Sequence, residues 1–205
     1  MTIHATTRAT FLGIAALALA ACAKKDNNAA DTTAASSTVT GDTSAMGAGN
    51  ASTSTSGNWS DANIVALLDE ANAADSAAGA IAATKGTAAA VRDFARRMMR
   101  DHHQLRAQGA ALAKKLNVTP SAPADDPLPA AAQGETNTLN TTAKGKDFDK
   151  AYIDAEVDVH KKVLDLATKA AAQTQNAELK NLIQKAAPVI QGHLDKAESI
   201  QKTLK

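Results

Sequence analysis

The sequence predicts an all-α protein, an antiparallel bundle of four long helices. Three observations predict it. Alanine supplies 49 of the 205 residues while Phe, Trp and Tyr together make up 2%, a composition that favours helices and leaves too few aromatic and β-branched residues for a pleated core. Four long stretches after Trp59 repeat their apolar residues with helical period. The breaks between the first and second stretch, and between the third and fourth, are short turns, whereas the middle connection is long.

The first helix starts after a Ser60 cap, places Ile64, Leu67, Leu68, Ala71, Ala78 and Ile81 on one face, and ends at Lys85-Gly86. The second is expected from about Thr87 to Asn117, with Val91, Phe94, Met98, Leu105 and Leu112 on its stripe. A Pro-rich loop over Thr119 to Pro129 follows, then a weaker segment to about Gly145 with room for one short helix. The third long helix is expected over about Asp147 to Thr174 and the fourth over about Asn176 to Leu204, with Pro188 set to kink it.

The N-terminal part has a different character. Residues 1–21 carry Arg8 and then an apolar run from Phe11 to Ala20, too short to span a bilayer and suited to the core of a secretion signal. The run ends in Leu19-Ala20-Ala21-Cys22, which resembles a lipobox, with Cys22, the only cysteine, as the residue to be acylated. Ala23 rather than Asp follows, and similarity to Gram-negative lipoproteins then implies a lipid-anchored, periplasm-facing place at the outer membrane. Residues 22–58 are almost entirely Ala, Ser, Thr, Gly, Asn and Asp without apolar period, so they read as a disordered tether. Its typical reach would be about 30 to 36 Å. Residues 59–205 then form the one helical domain.

Charge excludes some partners. The 22 basic and 21 acidic residues give a net charge of +1 and are mixed along the chain, so no field steers the protein onto a polyanion. Nucleic acid is not an expected partner, and the membrane is reached through the lipid anchor alone; no feature points to a protein partner. The chain also has no nucleophile motif, phosphate loop or cofactor fingerprint, so catalysis is a weaker expectation than a binding or structural role.

Candidate functional residues are the polar ones that interrupt apolar stripes, because a buried carboxylate or imidazole is costly unless something binds it. Asp75 falls on the inward face of the first helix and His102 on that of the second, four residues beyond Met98. Asp149, Glu156 and His160 fall near the middle of the apolar arc of the third, and His193 lies between Ile190 and Ala197 on the fourth. Counted back from the turns, the members of each hairpin lie within about one helical turn of the same level. Asp75, His102, Glu156, His160 and His193 are therefore candidate ligands of one divalent ion, with Asp101, Asp149 and Tyr152 as supporting groups. The alternative is a set of core hydrogen bonds that fixes helix register.

Several segments together resemble a known family. They are Asn72-Ala-Ala-Asp75-Ser-Ala-Ala-Gly79, then Val91-Arg-Asp-Phe94 through Met98 to Asp101-His102, then Phe148-Asp149-Lys-Ala-Tyr152 through His160, and finally Pro188 with His193-Leu194. They are similar to the ferritin-like proteins called domain of unknown function 4142, over about Asp61 to Leu204. The resemblance implies a ferritin-like antiparallel four-helix bundle in an exported outer-membrane protein, and no established activity. It also suggests a di-metal carboxylate centre, from which this chain departs: only Glu156 and His160 approach the Glu-x-x-His pattern, and they are four apart. Asp75 stands where the family has Glu. Zinc or copper at a mononuclear His-rich site fits these residues better than two iron ions, although one iron would also be accommodated. Two functions follow: a metal-binding envelope lipoprotein, or a non-catalytic structural or interaction module whose core His, Asp and Glu only specify packing.

Overall fold

The structure, a computed structural model, describes residues 57–204. The expected signal over 1–21, the acylated Cys22 and nearly all of the tether lie outside the described residues. Among the described residues every regular element is helical: α1 (Asp61–Lys85), α2 (Ala89–Leu116), α3 (Leu128–Thr141), α4 (Lys146–Gln173) and α5 (Ala177–Thr203). None of these helices is long and apolar enough to cross a membrane.

Local chemistry sets the helix ends. Ser60 and Asn63 form a reciprocal capping box that starts α1. Asn117 takes the left-handed conformation at the end of α2, with φ 54°. The Asn176 side chain accepts from the amides of Glu178 and Leu179 to start α5. That helix continues through Pro188 to Thr203.

The hairpins α1/α2 and α4/α5 pack side by side, α1 against α4 and α2 against α5. The connection explains how. Asn63 and Ala62 at the start of α1 bond to Ser121 just after α2. At the opposite end of α1, the Lys85 ammonium donates to the Leu139 and Asn140 carbonyls at 2.6 and 2.9 Å. The segment carrying α3 therefore returns the chain along the length of the bundle. α4 then starts beside the beginning of α2, so neighbouring long helices are antiparallel around the bundle, the single-crossover ferritin-like arrangement.

Apolar packing falls into two clusters. One gathers Phe94, Met98, Phe148, Tyr152, Ile153 and Ile200 with other residues. The other, toward the start of α1, includes Trp59, Ile64, Leu67, Leu179 and Ile183. Helices α1 and α2 approach closely at Gly79, where an added Cβ would lie 2.9 Å from the Ala95 carbonyl oxygen and 3.1 Å from Met99 Cγ. Between the two clusters lies a polar layer.

Candidate metal centre

Each long helix sends at least one polar group into that layer. Asp75 from α1, His102 from α2, Glu156 and His160 from α4 and His193 from α5 are all buried, none more than 2% exposed. The three imidazoles face one another, with ring centroids 5.6 Å (His102–His160), 5.1 Å (His102–His193) and 5.5 Å (His160–His193) apart. Each offers a ligand atom within 4.8 Å of the others, and Asp75, Glu156 and His160 form a second such group beside the first.

Hydrogen bonds fix how each ring is protonated. His160 Nδ1 donates to the Glu156 carbonyl one turn back, at 2.9 Å. The Asn72 amide nitrogen donates to the Leu68 carbonyl, which turns its oxygen toward His102 Nδ1 at 2.7 Å. His193 Nε2 donates to Asp101 Oδ2 at 3.0 Å, and Asp101 is itself held by Arg97 and Arg100. One nitrogen of each ring is thus committed as a donor, and the remaining atoms, His102 Nε2, His160 Nε2 and His193 Nδ1, are buried without a partner. In a neutral ring the uncommitted nitrogen carries a lone pair.

The environment keeps the rings neutral. Burial, with the charges of His193 and His160 added, pushes His102 down to about 3. Burial likewise pushes His160 down to about 4 and lowers His193. The carboxylates respond in the opposite direction. Burial raises Asp75 and Glu156 well above their ordinary values, and both are raised further by the charge of Glu135, Glu156 also by that of Asp75. Asp101 differs: although burial works against it, the bonds from His193 and Arg97 hold its carboxyl below its ordinary value.

The structure places Asp101 on His193, and Tyr152 one turn from Glu156 on α4 with its buried hydroxyl beside the Glu156 carboxyl. Asp149 lies elsewhere. It accepts from the amides of Thr87 and Ala88, at 2.8 and 2.7 Å, and from the Thr87 hydroxyl, so it caps the start of α2 rather than supporting the layer. Two groups enter that sequence reading had missed. Asn72 orients His102 from three residues before Asp75, a spacing that puts both on one helical face. Glu135, on α3, is half-buried, and its charge raises both Asp75 and Glu156. One turn along from the histidines, Leu105, Val163 and Ile190 line an apolar cavity of about 240 Å³ that Asn72 also borders.

The site belongs to a ferritin-like helical bundle, and the chain is a member of the family described as domain of unknown function DUF4142, whose model matches residues 42–200. No curated protein matches it significantly. Among solved structures it is similar to "CopM in the Cu(II)-bound form", at 13% identity and a TM-score of 0.60, covering 72% of this chain and 99% of that one. A DUF305 fragment from Deinococcus radiodurans is similar at 13% identity and a TM-score of 0.60, covering 70% of this chain and 97% of that one. These likenesses show the fold.

Proposed function

We propose that this domain binds one copper or zinc ion through His102, His160 and His193, and that Cys22 anchors it by lipid at the periplasmic face of the outer membrane. The observation that carries the metal reading is the meeting of three unpartnered imidazole nitrogens, each with its lone pair directed into a buried layer and its ring held by an acceptor on the other nitrogen. Unshared lone pairs facing one another are mutually repulsive, and each unpaired buried group costs about 1 to 3 kcal/mol. A cation removes both penalties. The spacing fits: metal–nitrogen bonds of about 2.0 to 2.1 Å at tetrahedral angles put imidazole centroids about 5.2 Å apart, against the 5.1 to 5.6 Å here. Neutral imidazoles are ligands for zinc and copper, and the Cu(II) in a protein of the same fold makes copper the first ion to try.

The test is a thermal melt of the metal-free chain against added copper or zinc, for wild type and His160→Ala. A ligand present at 100 times its Kd stabilises by about 2.7 kcal/mol, so the wild type should gain and the variant should gain far less, with one equivalent bound per wild-type chain. Equal gains would remove His160 from the site. No gain in either would leave the histidines as packing residues of a structural module.

A further inference from the structure

The seam between α2 and α5 is closed at two levels and open between them. At one level His193 Nε2 donates to Asp101 at 3.0 Å, and at the other Lys115 pairs with Glu178. Because the two helices run antiparallel, Leu105 and Gly109 of α2 lie between those levels opposite Leu182, Ala186 and Ala187 of α5, and all five line the cavity of about 240 Å³. Small side chains leave it unfilled. A Cβ on Gly109 would meet nothing within 4 Å, although glycine inside a helix lowers stability. All five residues are half-buried, so the cavity opens to the surface along the seam.

One end of the opening is basic. Helix α2 carries seven basic and two acidic residues in a chain of net charge +1. Of the two acids, Asp93 pairs with Arg96, and Asp101 is shared by Arg97 and Arg100, which reach it through Nε at 3.1 and 3.2 Å. The outer nitrogens of both guanidinium groups therefore remain for an anion. Both side chains are exposed, by 43% and 67%, and Arg97 crosses the seam, its Nη2 lying 3.9 Å from where a Cβ on Gly192 of α5 would stand. Asp101 precedes Leu105 by about one helical turn, so the cationic end adjoins the apolar cavity.

We infer that this cavity binds a single-chain anionic amphiphile, a fatty carboxylate, with its chain between α2 and α5 and its head on Arg97 and Arg100. A cavity of about 150 Å³ holds the six carbons of benzene, so about 240 Å³ takes a chain of about ten carbons. The apolar walls reject a wholly polar anion, and the two arginines favour a charged head over an alcohol. The site needs no metal at the histidines.

The experiment titrates the full chain by calorimetry with decanoate, held below its micelle concentration, and with 1-decanol. One equivalent of decanoate should bind per chain, about tenfold or more tightly than the alcohol. Gly109→Leu should lose both ligands. It sets a good helix former where a Cβ meets no other atom, so the variant retains the bundle. Arg97→Gln together with Arg100→Gln should bring decanoate down to the affinity of 1-decanol and leave 1-decanol unchanged, a split that loss of fold would not produce. Absence of decanoate binding, or equal binding by wild type and Gly109→Leu, overturns the site. Equal affinity of the wild type for acid and alcohol overturns the assignment of an anionic head to the arginines. A wild-type dimer that Gly109→Leu makes monomeric would give the cavity to a second copy of the chain and overturn the ligand.

Discussion

A neutral imidazole and a protonated carboxyl are both uncharged, and the polar layer is tolerated inside an apolar bundle because its groups take those forms. The consequence is a pH dependence with two opposing limbs. An unfolded histidine titrates near about 6.5, whereas His102 and His160 are held down to about 3 and about 4. Their contribution is complete above the unfolded value and is lost as pH falls through that window. Glu156 is raised, so its contribution is complete below the ordinary carboxyl value and is lost as pH rises toward its folded value. Metal-free protein should therefore be most stable in mildly acidic solution. Glu156→Gln removes one proton from the alkaline limb, so the variant should gain on wild type by about 1.4 kcal/mol per pH unit above about pH 4.5, until the folded Glu156 ionises. Urea unfolding of both proteins from pH 5 to pH 8 without metal measures this. Parallel pH profiles would mean that Glu156 is ionised inside the fold.

Helix by helix, the structure shows how an end can be stabilised from a distance. Ala88 has no capping side chain, and Asp149 from α4 supplies the missing acceptor for Thr87 and Ala88. Asp149→Ala should destabilise the domain by about 1 to 2 kcal/mol, equally with and without zinc. A loss that grew when zinc was added would instead tie Asp149 to the metal. The same residue shows what periodicity can and cannot tell. At about 100° per residue Asp149 shares the inward arc of Glu156 and His160, and it is buried as that arc requires. It stands about two helical turns nearer the bundle end, and a repeat of apolar positions fixes a face without fixing which partners wait at each level. The four long helices were legible because each carries its own stripe and its own stop. Helix α3 was legible only as room for one short helix, since its Ala, Thr, Asn and Gly residues bury only Leu139 and give no stripe that fixes its ends. Asn72 was within reach of sequence reasoning, but an uncharged amide on a mixed face gives no reason to suspect a ring acceptor until His102 is placed opposite it.

At the level of the whole molecule, the residues proposed to bind metal lie between His102 and His193, inside one bundle, while the proposed anchor is Cys22. Binding and anchoring should then be separable. Acyl chains on one cysteine hold a protein on a bilayer with no contact from the folded part, and the first proposed ligand, His102, follows Cys22 by 80 residues. Cys22→Ser should therefore abolish incorporation of radioactive palmitate and move the protein out of the membrane fraction, in an unprocessed or soluble form. The same variant, once purified, should bind copper or zinc with the wild-type stoichiometry and show the wild-type melt shift, because none of the ligands or their acceptors has changed. Palmitate that survives the substitution would refute the anchor. A changed melt shift would refute the independence of the two halves, since it would require the acylated segment to reach the core that the four helices close around His102, His160 and His193.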